Sequence, residues 1–138
     1  MNDKLFIDSN VWIYLFTNED NIKCKIAEHF IQENSLKNIL VISYQVLNEV
    51  TNVLKRKKFT EYEIRFIIES ISNICVIQDY SKEILLQASE LRENHHFSLW
   101  DSLIVSCASS SGCRFLISED MQNNMVINRL TIKNVFTV

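Results

Sequence analysis

The sequence contains no proline and a single glycine, so the usual signals that end helices and strands are almost absent. Breaks between elements must therefore be inferred from Asn, Ser and Asp and from apolar periodicity. The longest apolar runs, such as residues 39–42 and 103–105, are far shorter than the roughly 20 residues of a membrane span. The first eight residues include two acids and no apolar signal region. We therefore expect a cytoplasmic protein with no membrane association.

The four cysteines show no CxxC spacing, and no histidine lies at a zinc-like distance from them in the sequence. This pattern is typical of reduced thiols in a cytosolic protein, and it argues against a zinc site or a disulfide framework.

The chain of 138 residues is long enough for one hydrophobic core and too short for two ordinary domains, so we expect a single domain over residues 1–138. Apolar residues make up 47% of the chain and charged residues 22%, as in ordinary globular proteins. The net charge of −3 argues against broad electrostatic binding of nucleic acid. A compact basic run at Lys55, Arg56, Lys57 and Lys58 is the exception.

Short apolar segments alternate with segments that have helical periodicity. Strands are predicted at residues 4–7, 39–42, 74–77, 115–117 and 131–137. Helices are predicted at residues 11–16, 22–33, 44–58, from Thr60 onward after a capping box, at 81–94, and at 98–110 before the single Gly112. This alternation predicts an α/β fold with three layers, α/β/α, around a central, mostly parallel sheet.

Two acids lie where a parallel sheet usually binds its ligands, beyond the carboxyl ends of the strands. Asp8 directly follows the first predicted strand, and Asp120 comes three residues after Ile117. Glu49 lies at the boundary between the apolar and solvent faces of its helix, and Asp101 lies in the first turn of another helix. All four carboxylates are therefore candidates for one site.

Each of these acids also has a purely structural explanation. Asp8 can cap the next helix, and Asp101 completes a Ser-x-x-acid capping pattern with Ser98. Glu49 can be a solvated charge, and Asp120 can belong to an ordinary strand-to-helix junction. However, Mg²⁺ needs oxygen ligands from several elements at one rim, which four such acids could supply. On these grounds alone both interpretations stay open.

Four segments resemble the motifs of PIN domains, in order and with similar spacing. They are residues 6–14, FIDSNVWIY, residues 44–49, YQVLNE, residues 98–108, SLWDSLIVSCA, and residues 115–122, FLISEDMQ. The resemblance extends from Phe6 to about Phe136. One departure is that many relatives have a glycine soon after the fourth motif, where this chain has residues 122–125, QNNM. Asparagine tolerates left-handed backbone better than most residues, so the turn can survive.

A PIN domain with nothing appended is similar to the VapC-type toxins of bacterial toxin–antitoxin pairs. The resemblance implies an Mg²⁺- or Mn²⁺-dependent endoribonuclease that acts on RNA, is inhibited by a small cognate antitoxin and forms a homodimer. It also implies that a metal-activated water attacks the phosphodiester and leaves a 5′-phosphate and a 3′-hydroxyl. The antitoxin is expected to place a cationic, often Arg-bearing, segment in the acidic pocket.

The resemblance further implies roles for individual residues. Asp8 and Asp101 are expected to ligate the metal directly. Glu49 and Asp120 would complete the pocket directly or through water. Asn10 and Ser118 are placed to orient carboxylates or water as hydrogen-bond donors.

RNA binding needs groups other than the acids. Lys55, Arg56, Lys57 and Lys58 are candidates for phosphate contacts, although basic residues at a helix end also complement the helix dipole. Three aromatic residues could stack on bases or pack in the core, and two adjacent histidines could be catalytic or could interact with a helix C-terminus. These are Trp12, Tyr14 and Trp100, and His95 and His96.

Two other functions fit the same sequence: a PIN-type nuclease of RNA processing that has no antitoxin, and a non-catalytic α/β binding module. A phosphoryl-accepting domain fits poorly. Receiver domains need an acid pair near the first strand, and haloacid-type enzymes need Asp-x-Asp after it, whereas this chain has Asp8, Ser9 and Asn10.

Overall fold

The computed structural model describes residues 2–137. Within them the strands are β1 (Lys4–Ile7), β2 (Ile39–Ser43), β3 (Cys75–Gln78), β4 (Phe115–Ile117), β5 (Val126–Ile127) and β6 (Leu130–Lys133). The helices are α1 (Ser9–Thr17), α2 (Asn21–Lys37), α3 (Tyr44–Arg56), α4 (Glu61–Ile74), α5 (Lys82–Asn94) and α6 (Leu99–Ser110).

The strands form one sheet in the order β3-β2-β1-β4-β6-β5, and all neighbours are parallel except β5 and β6. The crossovers through α1–α2 and α3–α4 step from β1 toward β3, whereas the crossover through α5–α6 steps back to β4. Right-handed crossovers in opposite directions place their helices on opposite faces of the sheet. The predicted three-layer α/β fold with a mostly parallel sheet is confirmed.

The core lies on both sides of the central strands, which explains their continuous apolar sequences. Phe6 and Ile7 on β1, Ile42 on β2 and Leu116 on β4 are fully buried. At the edge of the sheet, by contrast, Val76 on β3 is half exposed. The central strands are therefore fixed from both faces, and their carboxyl ends form a rigid rim.

Two predicted helix ends are confirmed in detail. The Thr60 side chain accepts from the Glu63 N–H, and the Glu63 carboxylate accepts from the Thr60 N–H, which is a capping box. At the end of α6, Gly112 has a φ of 75°, and its N–H donates to the Ser109 carbonyl. The Cys113 N–H donates to the Ala108 carbonyl, which completes a Schellman motif.

The predicted end of the third helix at residue 58 is wrong by two residues. Helix α3 ends at Arg56, and Lys58 has a left-handed φ of 69°. The Lys58 N–H donates to the Lys55 carbonyl and the Phe59 N–H to the Leu54 carbonyl. This is the hydrogen-bond pattern that glycine usually terminates, so a lysine there gave no signal in the sequence.

The predicted strand at residues 131–137 is also wrong in extent. Strand β6 ends at Lys133, and the short antiparallel β5 precedes it. The turn between them uses Asn128 at a φ of 55°, a conformation that asparagine tolerates. After β6, the Asn134 side chain accepts from the Phe136 N–H and turns the chain away from the sheet.

Among residues 2–137, no helix is long and apolar enough to cross a membrane. The four cysteines are free thiols; Cys107 and Cys113 are buried, and Cys24 and Cys75 are half-buried. Burial raises the pKa of Cys75 to about 12 and that of Cys107 to about 11.

Candidate functional site

Asp8 lies at the junction of β1 and α1, where it is the N-cap of the helix and is only 5% exposed. Its Oδ1 accepts from the Ser9 N–H at 2.7 Å, and its Oδ2 accepts from the Ser118 hydroxyl at 2.8 Å. Ser118 directly follows β4, the neighbour of β1, so adjacent strand ends hold this carboxylate. Asp8 therefore has both the structural role and the position expected of a site residue.

Glu49 lies on α3, half-buried, as its place at the edge of the apolar face predicts. Its Oε2 accepts from the Ser9 hydroxyl at 2.7 Å, and its Oε1 accepts from Gln45 Nε2 at 2.9 Å. The Tyr80 hydroxyl, just after β3, donates to Gln45 Oε1. Both carboxylate oxygens are thus held in place, so the interpretation of Glu49 as a freely solvated charge is wrong.

Asp101 lies in the first turn of α6, where its N–H donates to the Ser98 hydroxyl at 3.1 Å. The predicted N-cap is therefore present, and Ser98 also interacts with the Asp101 carboxylate. Burial, followed by the charges of Asp120 and Glu49, raises the pKa of Asp101, while the hydrogen bond with Ser98 lowers it. The capping explanation therefore holds for Asp101, and its half-buried carboxylate also lies near the charges of Asp120 and Glu49.

Asp120 is exposed and follows β4 by three residues. Its Oδ2 accepts from Asn10 Nδ2 at 3.2 Å, and Asn10 Oδ1 accepts from the Glu119 N–H at 3.4 Å. Asn10 therefore bridges the start of α1 to the loop after β4. Asp101 and Asp120 both line a cavity of about 390 Å³.

Charge interactions link Asp8 with Glu49 and Asp101, and they link Asp101 with Asp120 and Glu49. Burial raises the pKa of Asp8 from its ordinary value of 3.8 to about 6, with Glu49 and Asp101 adding to the rise. The hydrogen bonds from Ser118 and Ser9 act in the opposite direction. Carboxylates that disfavour one another's ionisation are stabilised by a bound cation.

The acids do not form a finished ligand cage. Among residues 2–137, no group of three or more His, Cys, Asp or Glu side chains meets the geometry of a metal site. Serine and asparagine donors occupy several of the carboxylate oxygens instead. Carboxylate oxygens are the hard donors that Mg²⁺ and Mn²⁺ prefer, and retained waters can complete the coordination of Mg²⁺. The donor set therefore fits the implied metal.

The basic run lies away from the acids. It forms the end of α3 and the turn after it, and Arg56 is about 10 Å along the helix axis from Glu49 at 1.5 Å per residue. Lys57 Nζ pairs with Glu19 at 2.6 Å, and Lys55 Nζ pairs with Glu61 at 3.3 Å. The RNA contacts expected of Lys55, Arg56, Lys57 and Lys58 stay a prediction, with two of the four engaged in ion pairs.

The aromatic candidates have different surroundings. Trp12 is fully buried, so it packs in the core. Tyr14 contacts Phe136 edge-on at 5.0 Å between ring centroids and donates to Glu119 Oε1 at 2.5 Å. Trp100 is 59% exposed and directly precedes Asp101. Of the three, Trp100 is thus the one presented at the surface beside the acids.

The two histidines lie closer to the acids than their position at a helix end suggested. His95 is the C-cap of α5, and its N–H donates to the Leu91 carbonyl. His95 and His96 both line the cavity that contains Asp101 and Asp120. They are therefore neighbours of the acidic site.

Glu49 is positioned by three residues that were not among the predicted site residues, Ser9, Gln45 and Tyr80. Ser9 lies beside Asp8, and Gln45 precedes Glu49 by one helical turn, so both had a signal in their spacing. Tyr80 had none, because its contact depends on the pairing of β3 with β2.

The sequence matches a known protein family. The sequence model of the PIN domain family matches residues 5–124. No curated protein matches the chain significantly.

Several solved structures share the fold. Mycobacterium tuberculosis VapC20, described as a sarcin-ricin loop cleaving toxin, is 18% identical, with 81% of this chain and 86% of that chain covered and a TM-score of 0.66. VapBC2 of Rickettsia felis, bound to a DNA fragment from its promoter, is 18% identical, with coverages of 95% and 98% and a TM-score of 0.73. DNA-bound VapBC of Salmonella typhimurium is 16% identical, with coverages of 98% and 99% and a TM-score of 0.73. At these identities the similarity shows the fold.

Proposed function

The chain belongs to the PIN domain family, and on that premise we propose that it is a metal-dependent endoribonuclease and the toxin of a type II toxin–antitoxin pair. The observation that carries this proposal is the buried carboxylate of Asp8. It lies at the carboxyl end of the sheet, and the charges of Glu49 and Asp101 add to the rise that burial causes in its pKa. A fold that places like charges together at a ligand-binding rim destabilises itself unless a cation binds there.

Asp8 and Asp101 would hold a divalent cation, Mg²⁺ or Mn²⁺, with Glu49 and Asp120 as further ligands directly or through water. When bound, the cation supplies charge neutralisation at the scissile phosphate and activation of an attacking water. Ser118 and Ser9 fix the orientation of Asp8 and Glu49 through hydrogen bonds of 2.8 and 2.7 Å. These bonds restrict the two carboxylates before a cation arrives, which lowers the cost of ordering them.

Asp120 is held less tightly than Asp8 and Glu49. Asn10 donates to Asp120 across 3.2 Å, and Asp120 is exposed, so its carboxylate has room to move toward a bound cation or water. Asp120 also lines the open cavity of about 390 Å³ through which a phosphate could approach. The products would be a 5′-phosphate and a 3′-hydroxyl.

The toxin role is supported by the structural neighbours. One is described as a toxin that cleaves the sarcin-ricin loop, and another, from Klebsiella pneumoniae, is described as a toxin–antitoxin complex. We propose that this chain likewise acts on RNA, forms a homodimer and is inhibited by an antitoxin. The acidic rim would attract a cationic segment of that antitoxin. A PIN nuclease of RNA processing shares the chemistry and differs in having no inhibitory partner.

The test is RNA cleavage by the purified chain with Mg²⁺ or Mn²⁺, compared with EDTA. Asp101→Asn removes one charge from the site, and Asp79→Asn is a matched control at an exposed acid after β3. We expect the wild type and Asp79→Asn to cleave RNA to 5′-phosphate ends, and Asp101→Asn to lose at least about 100-fold in kcat/KM, about 2.7 kcal/mol at 1.36 kcal/mol per tenfold. Equal activity of Asp101→Asn and Asp79→Asn would contradict the proposal.

A further inference from the structure

A groove of about 600 Å³ lies directly beside the acids. It is lined by Tyr44, Gln45, Asn48, Glu49, Tyr80 and Trp100. Glu49 belongs both to this groove and to the acid cluster, and Trp100 immediately precedes Asp101. The groove is therefore continuous with the candidate active site.

Three aromatic side chains of this groove are exposed to solvent. The exposed fractions are 55% for Tyr44, 59% for Trp100 and 37% for Tyr80. Burial of a large aromatic side chain is energetically favourable. Three such side chains exposed together beside a site therefore indicate a surface that becomes covered by a ligand or partner. The positions follow from the fold, since Tyr44 begins α3, Trp100 lies in the first turn of α6 and Tyr80 follows β3.

The charged residues that line the groove indicate which class of ligand it can bind. Within residues 2–137, Glu49 is the only charged residue that lines the groove, and no lysine or arginine does so. The groove is therefore not built to bind a phosphate by charge. Flat aromatic faces instead suit an uncharged aromatic group, and nucleobases bind to exposed aromatic side chains by stacking.

We propose that this groove binds an unpaired nucleobase of the RNA substrate, stacked on Trp100 and Tyr44, while the adjoining phosphate lies at the acids. This inference rests on the proposed ribonuclease function and names a subsite for it. Because a base can enter only when it is unstacked, the substrate at this point is single-stranded or flipped out.

Among residues 2–137 the groove contains two side-chain amides, of which Gln45 is held by hydrogen bonds and Asn48 is not. Gln45 donates to Glu49 and accepts from Tyr80, so both ends of its amide are engaged. Asn48 is exposed, and in the described part of the chain its side chain makes no hydrogen bond. Asn48 can therefore donate to and accept from the edge of a stacked base, and it is the residue that would select among bases.

The neighbouring part of the RNA strand would occupy the cavity of about 390 Å³ beside the acids. His95, His96 and Gln122 line it together with Asp101 and Asp120. Glu49 lines the aromatic groove and Asp101 lines this second cavity, so an RNA strand that occupied both would pass the acids. This places the scissile phosphate between the stacked base and the histidine side.

The binding test uses the intrinsic fluorescence of Trp100, because the other tryptophan, Trp12, is buried. In an Asp8→Asn background, titration with a short single-stranded RNA should quench this fluorescence. The same oligonucleotide with abasic sites should bind at least about tenfold more weakly. Equal binding of the abasic oligonucleotide would show that backbone contacts dominate and would overturn the proposal.

The kinetic test uses the otherwise wild-type protein. Trp100→Ala and Tyr44→Ala should each raise KM for single-stranded RNA by about tenfold or more, and Trp100→Phe should recover part of the loss. Tyr62→Ala is a matched control, since Tyr62 is 74% exposed on α4 and is not among the residues of the groove. Unchanged KM in Trp100→Ala and Tyr44→Ala would overturn the inference while ribonuclease activity itself remained established.

A second copy of the chain is the competing occupant. If Trp100→Ala converts a dimer to a monomer in sedimentation and leaves RNA affinity unchanged, the groove is a subunit interface and the proposal is wrong. If the wild type binds the base-bearing oligonucleotide with quenching but cleaves no RNA, base binding stands and the proposed nuclease function fails.

Discussion

The Ser9 hydroxyl donates to Glu49 Oε2 at 2.7 Å, which ties the residue after Asp8 to the acid of a different helix. The Ser9 N–H also donates to Asp8 Oδ1 at 2.7 Å. One serine thus positions two carboxylates whose negative charges repel each other. This hydrogen bond fixes the Glu49 side chain at the site. A position on the flank of a helix would not by itself fix it there.

Removing the Ser9 hydroxyl should therefore reduce activity more than stability. We expect Ser9→Ala to lower kcat/KM for RNA by about 10- to 100-fold, as for other groups that orient metal ligands, and Ser9→Thr to restore part of it. Ser35→Ala is a matched control, since the hydroxyl of the half-buried Ser35 donates to the Gln32 carbonyl on its own helix α2. If Ser9→Ala and Ser35→Ala have equal activity, Ser9 has no positioning role.

The raised pKa of Asp8 predicts a pH-dependent stability of the metal-free protein. The folded pKa of about 6 exceeds the ordinary value of 3.8, so the folded state holds the proton more tightly than the unfolded state. Ionisation of Asp8 therefore imposes a loss of stability that is absent below about pH 4 and complete above about pH 6–7. The shift of roughly two units corresponds to about 3 kcal/mol as an upper figure.

Asp8→Asn should remove this dependence. In EDTA, the free energy of unfolding of Asp8→Asn relative to wild type should rise by about 2–3 kcal/mol between pH 4 and pH 7.5. Urea unfolding at several pH values measures this difference, and any fixed cost of the altered hydrogen bonds cancels. A difference between the two proteins that does not vary with pH would contradict the assignment.

The loop that carries Asp120 is anchored by its neighbour Glu119. Lys23 Nζ contacts Glu119 Oε2 at 2.5 Å and lies 3.2 Å from the Tyr14 hydroxyl. Hydrogen bonds from Lys23 to Glu119 and Tyr14 raise the pKa of Lys23, so it stays charged at neutral pH. We infer that this cluster holds the loop in place against α1 and α2.

Lys23→Met should consequently release that loop and lower kcat/KM by about tenfold, because small displacements of catalytic groups cost activity. Lys37→Met is the matched control, since Lys37 forms an ion pair with Glu33 at 2.7 Å on α2 and is not among the candidate site residues. The comparison requires thermal unfolding of both variants. Loss of activity in proportion to loss of folded protein would assign Lys23 to stability alone.

The backbone conformation of Lys58 predicts an effect on stability. It has a φ of 69° at the end of α3, where lysine is strained and glycine is not. We expect Lys58→Gly to stabilise the protein by about 0.5–1 kcal/mol in urea unfolding, whereas Lys55→Gly inside the helix should cost about 1 kcal/mol. Destabilisation by Lys58→Gly would show that the lysine side chain contributes more than the strain removes.

The sequence predicted most of the fold because its central strands and its helices have strong periodic patterns. Residues 115–117 and the helix that ends before Gly112 were placed correctly for that reason. The errors lie where ordinary residues occupy unusual backbone conformations, as at Lys58 and Asn128, or where a two-residue strand such as β5 depends on its partner. Such features come from tertiary contacts that local patterns do not encode.

The candidate site was predictable in part for the same reason. Asp8 and Asp120 follow strands of one sheet, so topology alone places them at one rim. Glu49 and Asp101 depended on resemblance to a family, and the structure supplies their reasons: hydrogen bonds from Ser9 and Gln45, and charge interactions with neighbouring acids. Trp100 was a candidate for base stacking from the sequence, but the groove itself had no sequence signal, because Tyr44, Tyr80 and Trp100 meet only in the folded chain.

Isothermal titration of Mn²⁺ tests most directly whether Asp8, Glu49, Asp101 and Asp120 bind a divalent cation. We predict saturable binding to the wild type and to Asp79→Asn, with affinity at least about tenfold lower for both Asp8→Asn and Asp101→Asn. Absence of saturable binding to the folded wild type, or equal affinity in all four proteins, would contradict binding by these acids.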